Sequence, residues 1–181
     1  PIWSVIDYSI GILSISSILK TSDLDILRQI RDANPTSELP SLWLDSEDPY
    51  TQWEGVTWAN GKVINLECAY MQITTLNDIN KLMSLISLNC LGNQIELLDV
   101  SDMTKLEPFP RQNTIISSLI VTNTPKLNIL DCGHNNLVSI PTLTSVGALT
   151  LAEFTYNYMP IEETNRLISL GFLSYRVLPQ N

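Results

Sequence analysis

The stretch LNILDCGHNNL (127–137) places a carboxylate, a thiol and the single histidine of the chain within four consecutive positions. Asp131, Cys132 and His134 are residue types that bind metal ions or pair a nucleophile with its general base. The same stretch is also explained as one unit of a repeat. Neighbouring side chains of a strand point to opposite faces, so Asp131 and Cys132 do not converge on one ligand. We favour the repeat, and expect no catalytic residue, no metal site and no cofactor.

The spacing of the cysteines supports a repeat. Cys68 and Cys90 are 22 residues apart (90 − 68), and Cys132 follows Cys90 after 42 (132 − 90), or two periods of 21. A fixed period of this length is typical of solenoids. A degenerate copy with two prolines, LEPFPRQNTII (106–116), occupies the longer gap. The clear copies are VINLECAYMQI (63–73), LISLNCLGNQI (85–95), LNILDCGHNNL (127–137) and LTLAEFTYNYM (149–159).

Eleven slots describe each copy: apolar, x, x, apolar, x, Cys or Phe, x, x, Asn or Met, x, apolar. We expect slots one, four and six to point into the coil, with a short parallel strand around slots three to seven. Slot nine begins the turn that leaves the strand, where side-chain amides can bond buried backbone groups of adjacent coils. The predicted amide ladder is Asn93, Asn135 and Asn157, and the predicted buried thiols are Cys68, Cys90 and Cys132.

Two of the thiols are predicted to be neighbours in the stack. Cys68 and Cys90 occupy the same slot of successive copies, whose strands should lie about 4.8 Å apart. A disulfide between directly adjacent parallel strands strains the bridge geometry. We expect free, buried thiols, with a Cys68–Cys90 bridge as the alternative.

Helices are predicted on both sides of the repeats. TSDLDILRQIRDANP (21–35) begins with a capping box formed by Ser22 and Asp25, and IEETNRLISLG (161–171) precedes a closing strand at 173–177. We expect the Ile/Ser-rich residues 1–20 to be extended. The chain is then one continuous solenoid with an N-terminal segment and helical cap at 1–62, repeats at 63–159, and a capping helix and half-repeat at 160–181.

The outward positions of the strands form the predicted binding surface, because solenoids of this kind use the concave sheet for recognition. Exposed tyrosine and apolar side chains among polar ones suit a protein or peptide partner. Asp131 and Glu153 share a slot in adjacent strands, but an open face offers no pocket for hydrolytic chemistry. The predicted contacts are Asn65, Glu67, Tyr70, Asn89, Leu91, Ile129, Asp131, His134, Glu153 and Tyr156.

Composition excludes several classes of partner. The 181 residues are 44% hydrophobic and carry a net charge of −9, so a packed core is expected and phosphate-rich partners are repelled. We therefore expect no nucleic acid. Without an apolar run of about 18 residues, we also expect no membrane insertion. Because the chain starts at Pro1, we expect a mature or trimmed chain whose targeting signal is not visible.

The segments between the repeats carry a family resemblance. LDVSDMTKL (98–106) and LIVTNTPKL (119–127) align residue for residue, and with LNILDCGHNNL they resemble the leucine-rich repeat (LRR) proteins common in Bacteroidetes, built from LDVSxNTxLxxLxCxxNxL units. DILRQIRDANP and the later YTQWEGVTWANGKVINLE resemble the N-terminal cap of plant-type extracellular LRR proteins. The cap's cysteines are missing here, with Trp58 in the second position. We therefore expect no cap disulfide, and Trp53 and Trp58 to cover the first coil instead.

The resemblance implies an α/β LRR solenoid of five to six coils: a right-handed coil with a parallel sheet on its concave face and a helical N-terminal cap. It also implies a non-catalytic recognition module, monomeric and at the bacterial cell surface or outside the cell. Its partner would be a protein or peptide, such as a host or envelope component. The alternative is a structural spacer or adhesion segment of a larger surface protein, with no ligand of its own.

Overall fold

The computed structural model describes residues 21–107, 114–169 and 175–176, whose short parallel strands stack as a β-solenoid of about four turns. Three helices and one 3-10 turn at Ile79–Lys81 accompany nine strands in these ranges. The helices are α1 (Asp23–Asp32), α2 (Leu39–Leu42) and α3 (Ile161–Ser169). The strands are β1 (Val56–Ala59), β2 (Lys62–Glu67), β3 (Ser87–Asn89), β4 (Leu97–Asp99), β5 (Ser118–Thr124), β6 (Ile129–Asp131), β7 (Leu143–Val146), β8 (Leu151–Glu153) and β9 (Tyr175–Arg176).

The strand register reproduces the repeat period. Asn65 of β2 pairs in parallel with Ser87 of β3, and Ile129 of β6 pairs with Leu151 of β8, each 22 residues later. β9 then pairs with β8, so the predicted closing strand is present at its described residues. The stacked parallel strands confirm a solenoid, with about four turns where five to six coils were predicted.

A second parallel sheet, β4–β5–β7, was not predicted as strands. Leu97 of β4 pairs with Ser118 of β5 in this sheet, 21 residues later. Most of β4 and most of β5 lie in the two aligned segments, LDVSDMTKL and LIVTNTPKL respectively. These segments therefore recur because each builds another strand of its coil.

The core lies between the sheets and is built from the predicted inward slots. Slots one, four and six are buried in all four clear copies, and slot eleven is buried as well. Burial of the apolar area at these slots in each coil is the main stabilising term of such a stack. The buried residues at slots one, four and six are Val63, Leu66, Cys68, Leu85, Leu88, Cys90, Leu127, Leu130, Cys132, Leu149, Ala152 and Phe154.

β1 closes the N-terminal edge of the first sheet. It pairs antiparallel with β2 through the turn at Asn60 and Gly61, whose φ angles of 52° and 70° are those of a tight hairpin turn. Gly55 precedes β1 with φ 76°, and a Cβ there would collide with the carbonyl oxygen of Glu67. The glycine is therefore required for the close approach of the two strands.

Helix α1 begins with the predicted capping box, since Ser22 Oγ accepts the Asp25 N–H and the Asp25 carboxylate accepts the Ser22 N–H. Its buried face includes Leu27 and Ile30. Asp23 ties the helix to β2, because its two carboxylate oxygens accept the Val63 N–H at 3.0 Å and the Lys62 ammonium at 2.8 Å. The helix is thus fixed against the first coil by both apolar and polar contacts.

The tryptophans near the first coil differ from the prediction. Trp53 is buried as expected, but it stacks on Trp43 with ring centroids 5.4 Å apart. Trp58 is only half-buried, packs against Tyr50 and donates its indole N–H to the Pro49 carbonyl. Trp58 still packs against the core as a partly buried side chain, and the fully buried Trp43, which was not predicted, shares the covering role.

Some expectations fall outside the described residues: the extended conformation of residues 1–20, the proline-containing part of the 106–116 copy, and most of the 173–177 strand. The division at residues 62 and 159 stays a prediction. No helix in the described ranges is long and apolar enough to cross a bilayer.

Candidate functional site

Asp131, Cys132 and His134 do not point toward one common ligand position. Cys132 points into the coil and is 2% exposed, whereas His134 is exposed and stacks on Tyr156. The Asp131 Oδ1 atom accepts the Gly133 N–H at 3.0 Å, so this carboxylate closes its own turn. Among the described residues, no group of three potential protein ligands could hold a metal ion. The arrangement is that of one coil in a stack.

All three cysteines are buried, and none of them forms a disulfide bond. Burial raises the pKa of the Cys90 thiol to about 12, and raises the pKa values of Cys68 and Cys132 well above their ordinary range. A thiol that stays protonated and inaccessible is neither a nucleophile nor a metal ligand. The cysteines therefore serve as small core residues.

Each slot-nine asparagine joins its own turn to the turn of a neighbouring coil. Asn93 Oδ1 accepts the N–H groups of Met71 and Ile73, and its Nδ2 donates to the carbonyls of Cys68 and Cys90. These bonds are 2.8–3.1 Å long and buried. The amide therefore satisfies backbone groups that the core would otherwise leave unpaired.

Asn135 and Asn157 repeat this pattern. Asn135 Oδ1 accepts the Ile116 N–H, and Asn157 Oδ1 accepts the Leu137 N–H. Asn157 Nδ2 also donates to the carbonyl of Cys132 in the preceding coil. Asn34, at the end of α1, makes comparable bonds to Thr74 and Thr75 of the first coil, a role that pattern reasoning missed because Asn34 lies outside the repeat.

The outer strand face comprises the outward side chains of β2, β3, β6 and β8 together with slot eight. Most of the predicted contacts lie there with part of their surface open to solvent. Glu153 differs, being 8% exposed with Oε1 accepting a hydrogen bond from Thr155 Oγ1. Exposed predicted contacts are Glu67, Tyr70, His134 and Tyr156, and half-buried ones are Asn65, Asn89, Leu91, Ile129 and Asp131.

Slot eight has the same unusual backbone in every clear copy. Tyr70, Gly92, His134 and Tyr156 all have positive φ, at 59°, 69°, 57° and 55°. Glycine adopts this left-handed conformation freely, whereas tyrosine and histidine do so at a cost of about 1 kcal/mol or more each. The turn is therefore imposed by the coil, and it projects the three aromatic side chains outward.

The slot-eight rings contact the slot-eight residue of a neighbouring coil. The His134 and Tyr156 rings lie 4.2 Å apart with an interplanar angle of 21°. The Tyr70 ring occupies the space into which a Cβ at Gly92 would project. Tyr70 is nevertheless 65% exposed and Tyr156 is 43% exposed, so both rings present apolar surface to solvent.

Slots five and eight together repeat a pairing of acid and aromatic residue. The sequence shows it as ECAY (67–70), DCGH (131–134) and EFTY (153–156), against NCLG (89–92) in the second copy. Pattern reasoning identified these residues singly but not as pairs. In the structure the acids of these pairs differ in exposure. Glu153 is largely buried, whereas Glu67 is exposed and accepts a hydrogen bond from Asn89.

A separate cleft of about 440 Å³ lies between α1, the 3-10 turn and residues of the second sheet and its turns. Its lining includes Asn80, Asp102 and Asn123. Asn80 and Asn123 donate their amides to Asp99 and Asp102, respectively. None of the predicted contact residues lines this cleft.

Fold and site together define a β-solenoid with an aromatic, partly polar outer strand face. No protein-family model matches the chain, and no curated protein matches it either.

Proposed function

We propose that this chain is a leucine-rich-repeat recognition module that binds a protein or peptide through its outer strand face. The observation that carries the proposal is the exposure of Tyr70 and Tyr156 at slot eight, held outward by a left-handed turn. Solvent-facing tyrosines on a rigid backbone give large contact areas at little entropic cost, as anchor residues of interfaces require.

The assignment to leucine-rich repeats rests on sequence and burial together. The slots of the repeat consensus are the buried positions, and each slot-nine asparagine bonds an adjacent turn. Helix α1 serves as the N-terminal cap in this proposal, because Ile26, Leu27 and Ile30 are part of the same apolar core as the first coil. The resemblance to exported repeat proteins supports a location at the bacterial surface or outside the cell.

The second candidate is a structural spacer or adhesion segment that presents this face without a specific ligand. The buried asparagine amides favour a spacer, because they join neighbouring coils by hydrogen bonds along the stack. A spacer does not need exposed tyrosines in a costly backbone conformation, so we place recognition first.

Selection from a displayed peptide library, followed by affinity measurement with purified protein, tests the proposal. We expect selected peptides to bind, and the Tyr70→Ala and Tyr156→Ala variants to weaken binding by about tenfold or more each, as at interface anchors. Tyr158→Ala is the matched control, since Tyr158 is 53% exposed and lies beyond Asn157 in the same coil. Binding lost equally in all three variants, or in none, contradicts recognition through this face.

A further inference from the structure

We propose that the first coil carries an arginine-binding subsite, formed by Glu67 and Tyr70 over the Asn89–Gly92 turn. This inference rests on the proposed function and names the partner group that the face would take: a guanidinium presented by the bound protein or peptide. The subsite combines a carboxylate, an exposed aromatic ring and a turn that holds both in place.

The two side chains lean onto the same short stretch of the neighbouring coil. The Glu67 Oε1 atom accepts the Asn89 amide at 2.6 Å, and the Tyr70 ring packs where a Gly92 side chain would lie. Three residue steps separate Asn89 from Gly92, so these supports are at most about 10 Å apart. Carboxylate and ring therefore lie within the reach of one arginine side chain.

The carboxylate is positioned for a charged ligand. Asn89 is itself held in the turn, because its Oδ1 accepts the Leu91 N–H at 3.1 Å. It fixes one oxygen of Glu67, while the other has no hydrogen-bond or ion-pair partner among the described residues. A charge-assisted bond from a guanidinium to that oxygen is stronger than a neutral one.

The ring supplies the second half of the subsite. Tyr70 is 65% exposed, a more open position than those of Tyr158 at 53% and Tyr156 at 43%. One part of its ring rests on Gly92, which leaves the rest open to solvent. Arginine stacks on tyrosine faces through its planar guanidinium, which lysine cannot do.

The local charge pattern favours a cation. No lysine or arginine occupies an outward position of β2, β3, β6 or β8 after Lys62, whose ammonium is bound to Asp23. Two further described cations are held elsewhere, since Arg31 pairs with Asp45 and Lys81 with Asp78, and no ion pair among the described residues involves Glu67. The exposed Glu67 carboxylate is therefore not neutralised by a described cation of the chain itself.

The corresponding positions of later coils are different. His134 stacks on Tyr156, which covers part of each ring, and Glu153 is 8% exposed. In the second coil the same slots hold Asn89 and Gly92, which support the first coil instead. The subsite is thus placed in the first coil, near the β1–β2 hairpin.

Titration of the ¹⁵N-labelled protein with N-acetyl-arginine methylamide tests the proposal, with the citrulline and lysine analogues as matched probes. Citrulline keeps the shape of arginine but is neutral. We expect saturable shifts of the Glu67, Tyr70 and Asn89–Gly92 amides with arginine, and binding about fivefold or more weaker with citrulline. Equal affinity for arginine and citrulline, or shifts centred on other residues, overturns the subsite.

Two pairs of variants separate its components. Glu67→Gln keeps the acceptor for Asn89 but removes the charge, and Tyr70→Leu keeps apolar bulk but removes the ring. We expect each to weaken arginine binding several-fold, while Tyr70→Phe and the remote Glu96→Gln leave it unchanged. Unaltered binding in Glu67→Gln contradicts the proposal.

The result is distinguishable from that of the recognition experiment. Tyr70-dependent binding of a selected peptide, combined with no saturable binding of the arginine probe, overturns the arginine subsite and leaves recognition standing. Saturable arginine binding without any selectable peptide supports the subsite and contradicts the wider recognition function.

Discussion

Asn93 Oδ1 accepts the N–H of Met71 at 3.1 Å, although the two residues belong to successive coils. The amide thus joins the turns of two successive coils, together with its bonds to Ile73 and Cys68. Met71 holds slot nine of the first copy, where no amide is available, so the second coil supplies it.

Removing these bonds should destabilise the stack. We expect Asn93→Ala to lower the free energy of unfolding by about 1–3 kcal/mol, because it leaves buried N–H and C=O groups unpaired. Urea denaturation measures the change, and Gln94→Ala, at the exposed neighbouring residue, is the control. A neutral Asn93→Ala would show that other groups satisfy these backbone atoms.

Replacing one buried hydroxyl is not expected to lower the free energy of unfolding, in contrast to Asn93→Ala. Thr124 is fully buried and its Oγ1 has no hydrogen-bond partner among the described residues, whereas the buried Thr155 Oγ1 donates to Glu153 at 2.8 Å. We expect Thr124→Val to leave stability unchanged or raise it by about 0.5–1 kcal/mol, since it removes an unsatisfied polar group. Thr155→Val should lower it by about 1–2 kcal/mol. Thermal or urea unfolding of both variants measures these changes. An equal loss of stability in Thr124→Val and Thr155→Val would contradict the conclusion that only the Thr155 hydroxyl has a hydrogen-bond partner.

Two glycines with nearly the same positive φ angle form a matched pair. Gly61 and Gly92 have φ of 70° and 69°, but only Gly92 has a side chain, that of Tyr70, in the path of an added Cβ. We expect Gly61→Ala to cost about 1 kcal/mol from backbone strain alone. Gly92→Ala should cost more and displace the Tyr70 ring. Unfolding experiments give the first quantity, and the chemical shifts of the Tyr70 ring protons report the second.

The cysteines predict how stability depends on alkaline pH. Burial holds the pKa of each folded thiol above the ordinary value of 9.0, so the folded protein keeps protons that the unfolded chain releases. The free energy of unfolding should therefore fall as pH rises above about 9, by about 1.4 kcal/mol per thiol between pH 8 and pH 10. Cys132→Ala should show a correspondingly smaller fall over this interval. Identical pH slopes in the two proteins would contradict the buried, protonated state of Cys132.

The buried positions of the coils could be predicted from the sequence, because apolar residues recur there with the period of the repeat. Leu66, Leu88 and Leu130 recur at fixed slots, and a strand that buries one face fixes its register. The capping box at Ser22 was equally predictable from the sequence, since it depends on residues only three apart.

The outward half was less predictable, because it depends on backbone conformation and on contacts between coils. Nothing in the types of Tyr70 and His134 indicates a left-handed φ, which tyrosine and histidine seldom adopt. Glu153 was placed on the surface from its slot, but its hydrogen bond with Thr155 and its position within the sheet withdraw it from solvent. The second sheet was missed because its short strands lie in segments that are also rich in turn residues.

The antiparallel strand β1 has a consequence for how such a chain changes length during evolution. Its pairing with Lys62–Glu67 occupies the outer edge of the first parallel strand, so an additional coil of this type cannot dock there. Duplication of a 21- or 22-residue unit must therefore enter the stack after β2. Lineages that differ in coil number should differ by insertions beyond β2, while the hairpin and the helix before it stay fixed in register.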